Sequence, residues 1–84
     1  MEVSVKFYAT LRDHLTQSKR QELEEKGELN IEIEPGNTVG DLLARMNIPE
    51  EEVKMIFVDN RRQKPDYSLQ SGDNVAVFPP IAGG

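Results

Sequence analysis

At 84 residues the chain is one domain, at the small end of what folds without covalent staples. With no cysteine it has no disulfide, no thiolate nucleophile and no sulfur-ligated zinc or iron-sulfur centre. Fifteen acidic against ten basic side chains leave a net charge of -5, which repels phosphate backbones and argues against nucleic acid as a partner. No apolar run approaches the roughly 20 residues needed to cross a bilayer, and Met1 to Val5 lacks the basic and apolar regions of a signal peptide. The expectation is a soluble cytoplasmic protein with no membrane partner.

The first strand is expected over about residues 2–9, where Val3, Val5 and Phe7 alternate with Ser4, Lys6 and Tyr8. The charged stretch from Thr16 to Glu28 has Leu23 as its one apolar anchor and predicts a mobile loop, at most a frayed helix. Leu29, Ile31 and Ile33 then alternate with Asn30, Glu32 and Glu34 in a second strand, stopped by Pro35-Gly36-Asn37. Thr38 with Asp41 three residues on resembles a capping box, and Val39, Leu42, Leu43 and Met46 follow at helical spacing. Asn47 ends this helix in a left-handed conformation, and Pro49 with Glu50 to Glu52 starts one further turn.

Met55 to Asp59 predicts a third strand, broken by Asn60 and Arg61, with a facing that its composition leaves open. Ser71-Gly72-Asp73-Asn74 is a dense turn signal before a last strand, Val75 to Phe78, which Pro79 and Pro80 end. A strand pair, a crossing helix and further strands follow the β-grasp order, an α+β fold with a mixed sheet of four to five strands. The first and last strands are then expected as a parallel central pair. The domain is expected over 1–78, with a projecting tail over 79–84.

That tail, Pro79-Pro80-Ile81-Ala82-Gly83-Gly84, holds no side chain able to act as acid, base, nucleophile or metal ligand. Its one reactive group is the carboxylate of Gly84. Two prolines leaving a strand hold the chain extended, and two glycines remove every Cβ beside the carboxylate, so that a narrow channel of another protein can close around it. A diglycine alone is also how an unstructured end reads, and what sets this one apart is its position after a strand and a Pro-Pro stiffener. A carboxylate is a poor electrophile, so its use implies activation by an external enzyme, most naturally to an acyl-adenylate.

Val5-Lys6-Phe7-Tyr8-Ala9-Thr10-Leu11-Arg12-Asp13, Thr38-Val39-Gly40-Asp41-Leu42-Leu43 and the closing block from Ser71 to Gly84 together resemble the MoaD/ThiS-like ubiquitin-fold sulfur carriers, above all the small subunits of molybdopterin synthase. Val58-Asp59-Asn60 stands where that family has Val-Asn-Gly. The resemblance implies that an E1-like enzyme spends ATP to adenylate Gly84, that a sulfur donor converts it to a thiocarboxylate, and that a large catalytic subunit uses the sulfur to build molybdopterin. It also admits carriage of sulfur for thiamine or tRNA thiolation, or conjugation to protein lysines. It implies no bound cofactor or metal and no catalytic side chain.

Tyr8, Phe78 and Phe57 are candidates for an apolar docking patch on the open sheet face, Phe78 because it alternates against Val75 and Val77 at the base of the arm. Arg12, matching an arginine of the resembled family, is a candidate for an acidic group on a partner. Arg61 and Arg62 read as solvated turn charges, His14 as a surface residue with no second ligand near it, and Glu32 with Glu34 as edge solubility.

Overall fold

A computed structural model describes residues 1–80. Period-two alternation builds its sheet. β1 (Glu2–Phe7) buries Val3, Val5 and Phe7 and pairs antiparallel with β2 (Leu29–Glu32), Val3 opposite Ile31. Ile33 lies past the strand end yet stays buried, its N–H donating to the Met1 carbonyl at 2.7 Å. β3 (Met55–Val58) buries Ile56 and Val58, and β4 (Arg61–Gln63) returns antiparallel beside it. β5 (Asn74–Phe78) lies antiparallel to β3 and parallel to β1, Val5 opposite Val75. The order β2-β1-β5-β3-β4 makes a five-stranded β-grasp sheet among the described residues, with the expected parallel pair at its centre.

α2 (Val39–Arg45) starts where both halves of the capping box form: Asp41 N–H donates to Thr38 Oγ1 at 3.2 Å, and Thr38 N–H to Asp41 Oδ2 at 2.9 Å. Its buried Val39, Leu42 and Leu43 share one core with β1, β2, β3 and β5. Asn47, at φ 61°, ends it in the expected left-handed conformation. The N–H groups of Val39 and Gly40 lie in the first turn, where a helix offers no internal acceptor, and donate to the carbonyls of Tyr67 and Pro65 at 3.0 and 2.8 Å. That close approach suits a glycine, since a Cβ on Gly40 would stand 3.3 Å from the Pro65 oxygen.

Three expectations need correction. Residues 16–28 are not a loop but hold α1 (Gln17–Lys26), with the Thr16 hydroxyl accepting from Lys19 N–H and left-handed Gly27 at φ 79° returning its N–H to Leu23. Leu23 is buried as the anchor, and it is joined in one core by Leu11, from a 3-10 turn over Ala9–His14, and by Leu15, the residue after that turn. Three leucines fix what one could not. That turn also stops β1 at Phe7, two residues early, because Ala9 adopts φ 52° and throws the chain out of the sheet. Finally, Arg61 and Arg62 belong to β4, and the turn is Asp59-Asn60. Both its residues are left-handed, at φ 51° and 68°, the geometry a tight two-residue hairpin demands and that Asp and Asn tolerate best after glycine.

Candidate functional site

Parallel pairing of β1 with β5 sends both strands toward the same end of the sheet, where Tyr8, one residue past β1, meets Phe78, the last residue of β5. Tyr8 and Phe78 stack with ring centroids 4.4 Å apart and planes 7° apart, and Phe57 from β3 meets Phe78 edge-on at 5.9 Å and 89°. All three are half-buried on the face opposite the core, where alternation places Phe78 against Val75 and Val77. Aromatic pairs of this geometry add about 0.5–1.5 kcal/mol beyond the area they bury. Phe57, whose facing composition left open, thus belongs to the open face. Ala76, between β1 and β3, leaves a shallow groove of about 360 Å³ along that face, bordered by Lys6, Tyr8, Glu28, Phe57 and Asn60.

The backbone at this end is tied on both sides. Tyr8 N–H donates to the Val77 carbonyl at 3.2 Å, and Lys54 N–H to the Phe78 carbonyl at 2.8 Å, so the last two residues before Pro79 are each held by a neighbouring segment. Arg12 Nε donates to the Phe7 carbonyl at 2.9 Å, placing the guanidinium beside the same sheet end. Pro79 is half-buried and Pro80 exposed. The expected roles of Ile81, Ala82, Gly83 and Gly84 fall outside the described residues.

His14 pairs with Glu52, Nε2 to Oε1 at 2.8 Å, and so links the turn over 9–14 to the 3-10 turn over Glu50–Glu52. Among the described residues no group of three or more His, Asp or Glu is placed to hold a metal ion, and no helix is long and apolar enough to cross a membrane.

The turn signal at 71–74 conceals a buried carboxyl at the far end of β5. Asp73 accepts from Gln70 N–H at 2.8 Å beside Asp59, whose Oδ1 accepts from Asn74 N–H at 3.0 Å. Burial pushes the Asp73 carboxyl above its ordinary range. The Gln70 bond opposes the shift, while the hydrogen bond and charge of Asp59 add to it. A carboxyl whose folded pKa is raised holds its proton more tightly when folded. Its contribution to stability is therefore full below the unfolded value of about 4 and is lost as pH rises through the folded one. Asp73→Asn imitates the protonated form and keeps an acceptor for Gln70. The variant is expected to melt above the wild type at pH 7, with the gap closing as pH falls toward about 4 in thermal scans by circular dichroism.

The model of the Mut7-C ubiquitin family matches residues 1–82. The chain belongs to that family. Among solved structures, this family member is similar to a putative molybdopterin converting factor subunit 1 from Pyrococcus furiosus, with 28% identity over 95% of this chain and 98% of that one at a TM-score of 0.64. SAMP1 from Haloferax volcanii has the same fold at 18% identity, with 100% of each chain covered and a TM-score of 0.64. So does the protein-protein complex of subunits 1 and 2 of the molybdopterin-converting factor from Helicobacter pylori, at 19% identity, 100% of each chain and 0.58. The MoaD/ThiS-like ubiquitin fold expected from the sequence is therefore the fold of this Mut7-C ubiquitin chain.

Proposed function

We propose that the chain is a sulfur carrier, activated at the carboxylate of Gly84 and loaded there as a thiocarboxylate for a biosynthetic step of the molybdopterin type. The observation that carries this reading is the stacked, doubly tied root of the arm: Phe78 is pinned by Lys54 N–H and packed on Tyr8 and Phe57, immediately before Pro79-Pro80 and a sequence ending in two glycines. A rigid root defines where the carboxylate is delivered, and delivery to a reacting centre is the whole contribution of a carrier that has no catalytic side chain of its own. The 28% identity to a putative molybdopterin converting factor subunit supports the same reading.

The chemistry divides between proteins. The Gly84 carboxylate attacks the α-phosphorus of ATP on an E1-like adenylating enzyme, pyrophosphate leaves, and an acyl-adenylate forms. A sulfide equivalent from the sulfur donor then displaces AMP and leaves a thiocarboxylate, a better nucleophile than the carboxylate it replaces. A larger subunit would accept the arm, as the pairing of subunits 1 and 2 in the Helicobacter pylori complex suggests for a relative of this fold. These ATP-dependent steps would run in the cytoplasm. Tyr8, Phe57 and Phe78 are the proposed contact with these partners, and the Arg12 guanidinium, at the same sheet end, would meet an acidic group on one of them.

A second reading, conjugation of Gly84 to lysines, has support in the name of one structural neighbour, a small archaeal modifier protein. Intact-mass measurement on protein isolated from its native cells separates the two. Exchange of one terminal oxygen for sulfur adds about 16 Da, which fragmentation would place on Gly84. Its detection is the expected result, while Gly84 found only in isopeptides would replace carriage by modification.

A further inference from the structure

The two outer edges of the sheet are built differently. Along β2 the edge is guarded: Arg45 reaches across to the Glu32 carbonyl, α1 packs beside the strand, and Asn30, Glu32 and Glu34 are exposed. Along β4 it is bare. With a two-residue turn at Asp59-Asn60, Val58–Arg61 and Ile56–Gln63 become the hydrogen-bonded pairs, so the N–H and C=O of Arg62 point away from β3. Among the described residues, no hydrogen bond beyond the ladder engages them.

Charge is distributed in the same sense. Four of the ten lysines and arginines, Lys54, Arg61, Arg62 and Lys64, fall within eleven residues that contain one acid, Asp59, in a chain of net charge -5. Asp59 is committed to Asn74, and none of the four cations joins an ion pair among the described residues. Beside the bare edge runs a groove of about 430 Å³ between β4 and the turn at 50–52, lined by Val53, Ile56 and Pro65. Its one acid, Glu50, has Oε1 3.4 Å from where a Gly40 Cβ would lie, toward the first turn of α2. Unpaired backbone, an apolar groove and four cations outside any ion pair among the described residues are the three things an acidic extended segment needs.

We propose that β4 accepts an extended acidic segment of a partner protein as a sixth strand, its backbone pairing with Arg62, its apolar side chains entering the groove and its carboxylates facing Lys54, Arg61, Arg62 and Lys64. This surface adjoins the aromatic root, since Arg62 stands opposite Phe57 and Lys54 N–H holds the Phe78 carbonyl, but it uses neither Gly83 nor Gly84, so removing them should leave peptide binding unchanged.

The test is an amide chemical-shift titration of the full chain, labelled with nitrogen-15, using a synthetic peptide of alternating glutamate and valine. A peptide of alternating lysine and valine serves as control. The expected result is shifts at Arg61 to Lys64, slowed exchange of the Arg62 amide, and weakening as salt rises. Arg62→Glu with Lys64→Glu should lose about tenfold or more in affinity. Arg62→Pro should abolish binding with the sheet intact, because the N–H it deletes faces solvent on an edge strand. The charge-reversed pair keeps every backbone donor and so reads the charge independently of the proline. Equal binding of the lysine peptide, or shifts confined to Tyr8, Phe57 and Phe78, would overturn the proposal. So would concentration-dependent shifts of the β4 amides without peptide, which would make the occupant a second copy, or tighter binding of an oligouridylate.

Discussion

A chain ending at Ala82 is expected to carry neither sulfur nor an isopeptide when expressed in its native cells, because the carboxylate it presents is two residues short and bears a Cβ where Gly84 has none. Its melting temperature should stay within about 2 °C of the full chain, since the described core ends at Val77 and the last strand at Phe78. Intact mass and a thermal scan on one preparation give both answers. A thiocarboxylate formed on Ala82 would show that delivery does not depend on the glycines, and a large loss of stability would show that the tail supports the fold.

The second large effect concerns α1. Leu23→Ala is expected to destabilise the protein by about 2–4 kcal/mol, the cost of emptying a buried leucine site that cannot fully collapse, out of a total of about 5–15 for a domain of this kind. Urea unfolding measures the loss, and amide exchange should show protection falling first over Gln17–Lys26, the helix that this side chain anchors. A change below about 0.5 kcal/mol would mean that the helix is held by its caps alone.

Leu23 also marks where the sequence stopped being legible. Residues 16–28 carry one apolar position in isolation, and by that local count they are a loop. Their helix shares its core with Leu11, in a 3-10 turn that no periodicity announces because it begins at Ala9, a non-glycine residue at φ 52°, and with Leu15 just after that turn. The strands with clean alternation, β1 and β2, and the capped helix at Thr38 were readable because their signals are local. β4 was not, since Asn60-Arg61 looked like the break, while the two left-handed residues are Asp59 and Asn60. At the candidate site, alternation alone put Phe78 on the open face, whereas Phe57 could be assigned only through its register opposite Ala76. The carboxyl pair of Asp59 and Asp73 was invisible, because its members lie fourteen positions apart and meet only when β3 and β5 align.

Pairing of Ser4 with Asn74 spans seventy positions of the chain, so the central contact of the sheet is its most nonlocal one. Chains dominated by such contacts fold late and slowly, since the loop must close before the pairing repays it. Synthesis runs from the N-terminus, and Tyr8 therefore waits, without Phe78 to stack on, until the chain has been made through β5. A product cut off before Asn74 has β1 and β2 but no parallel partner and no aromatic root. The topology thereby ties recognition to the last strand: the surface formed by Tyr8 and Phe78 comes into being only in a molecule whose β5 has been synthesised.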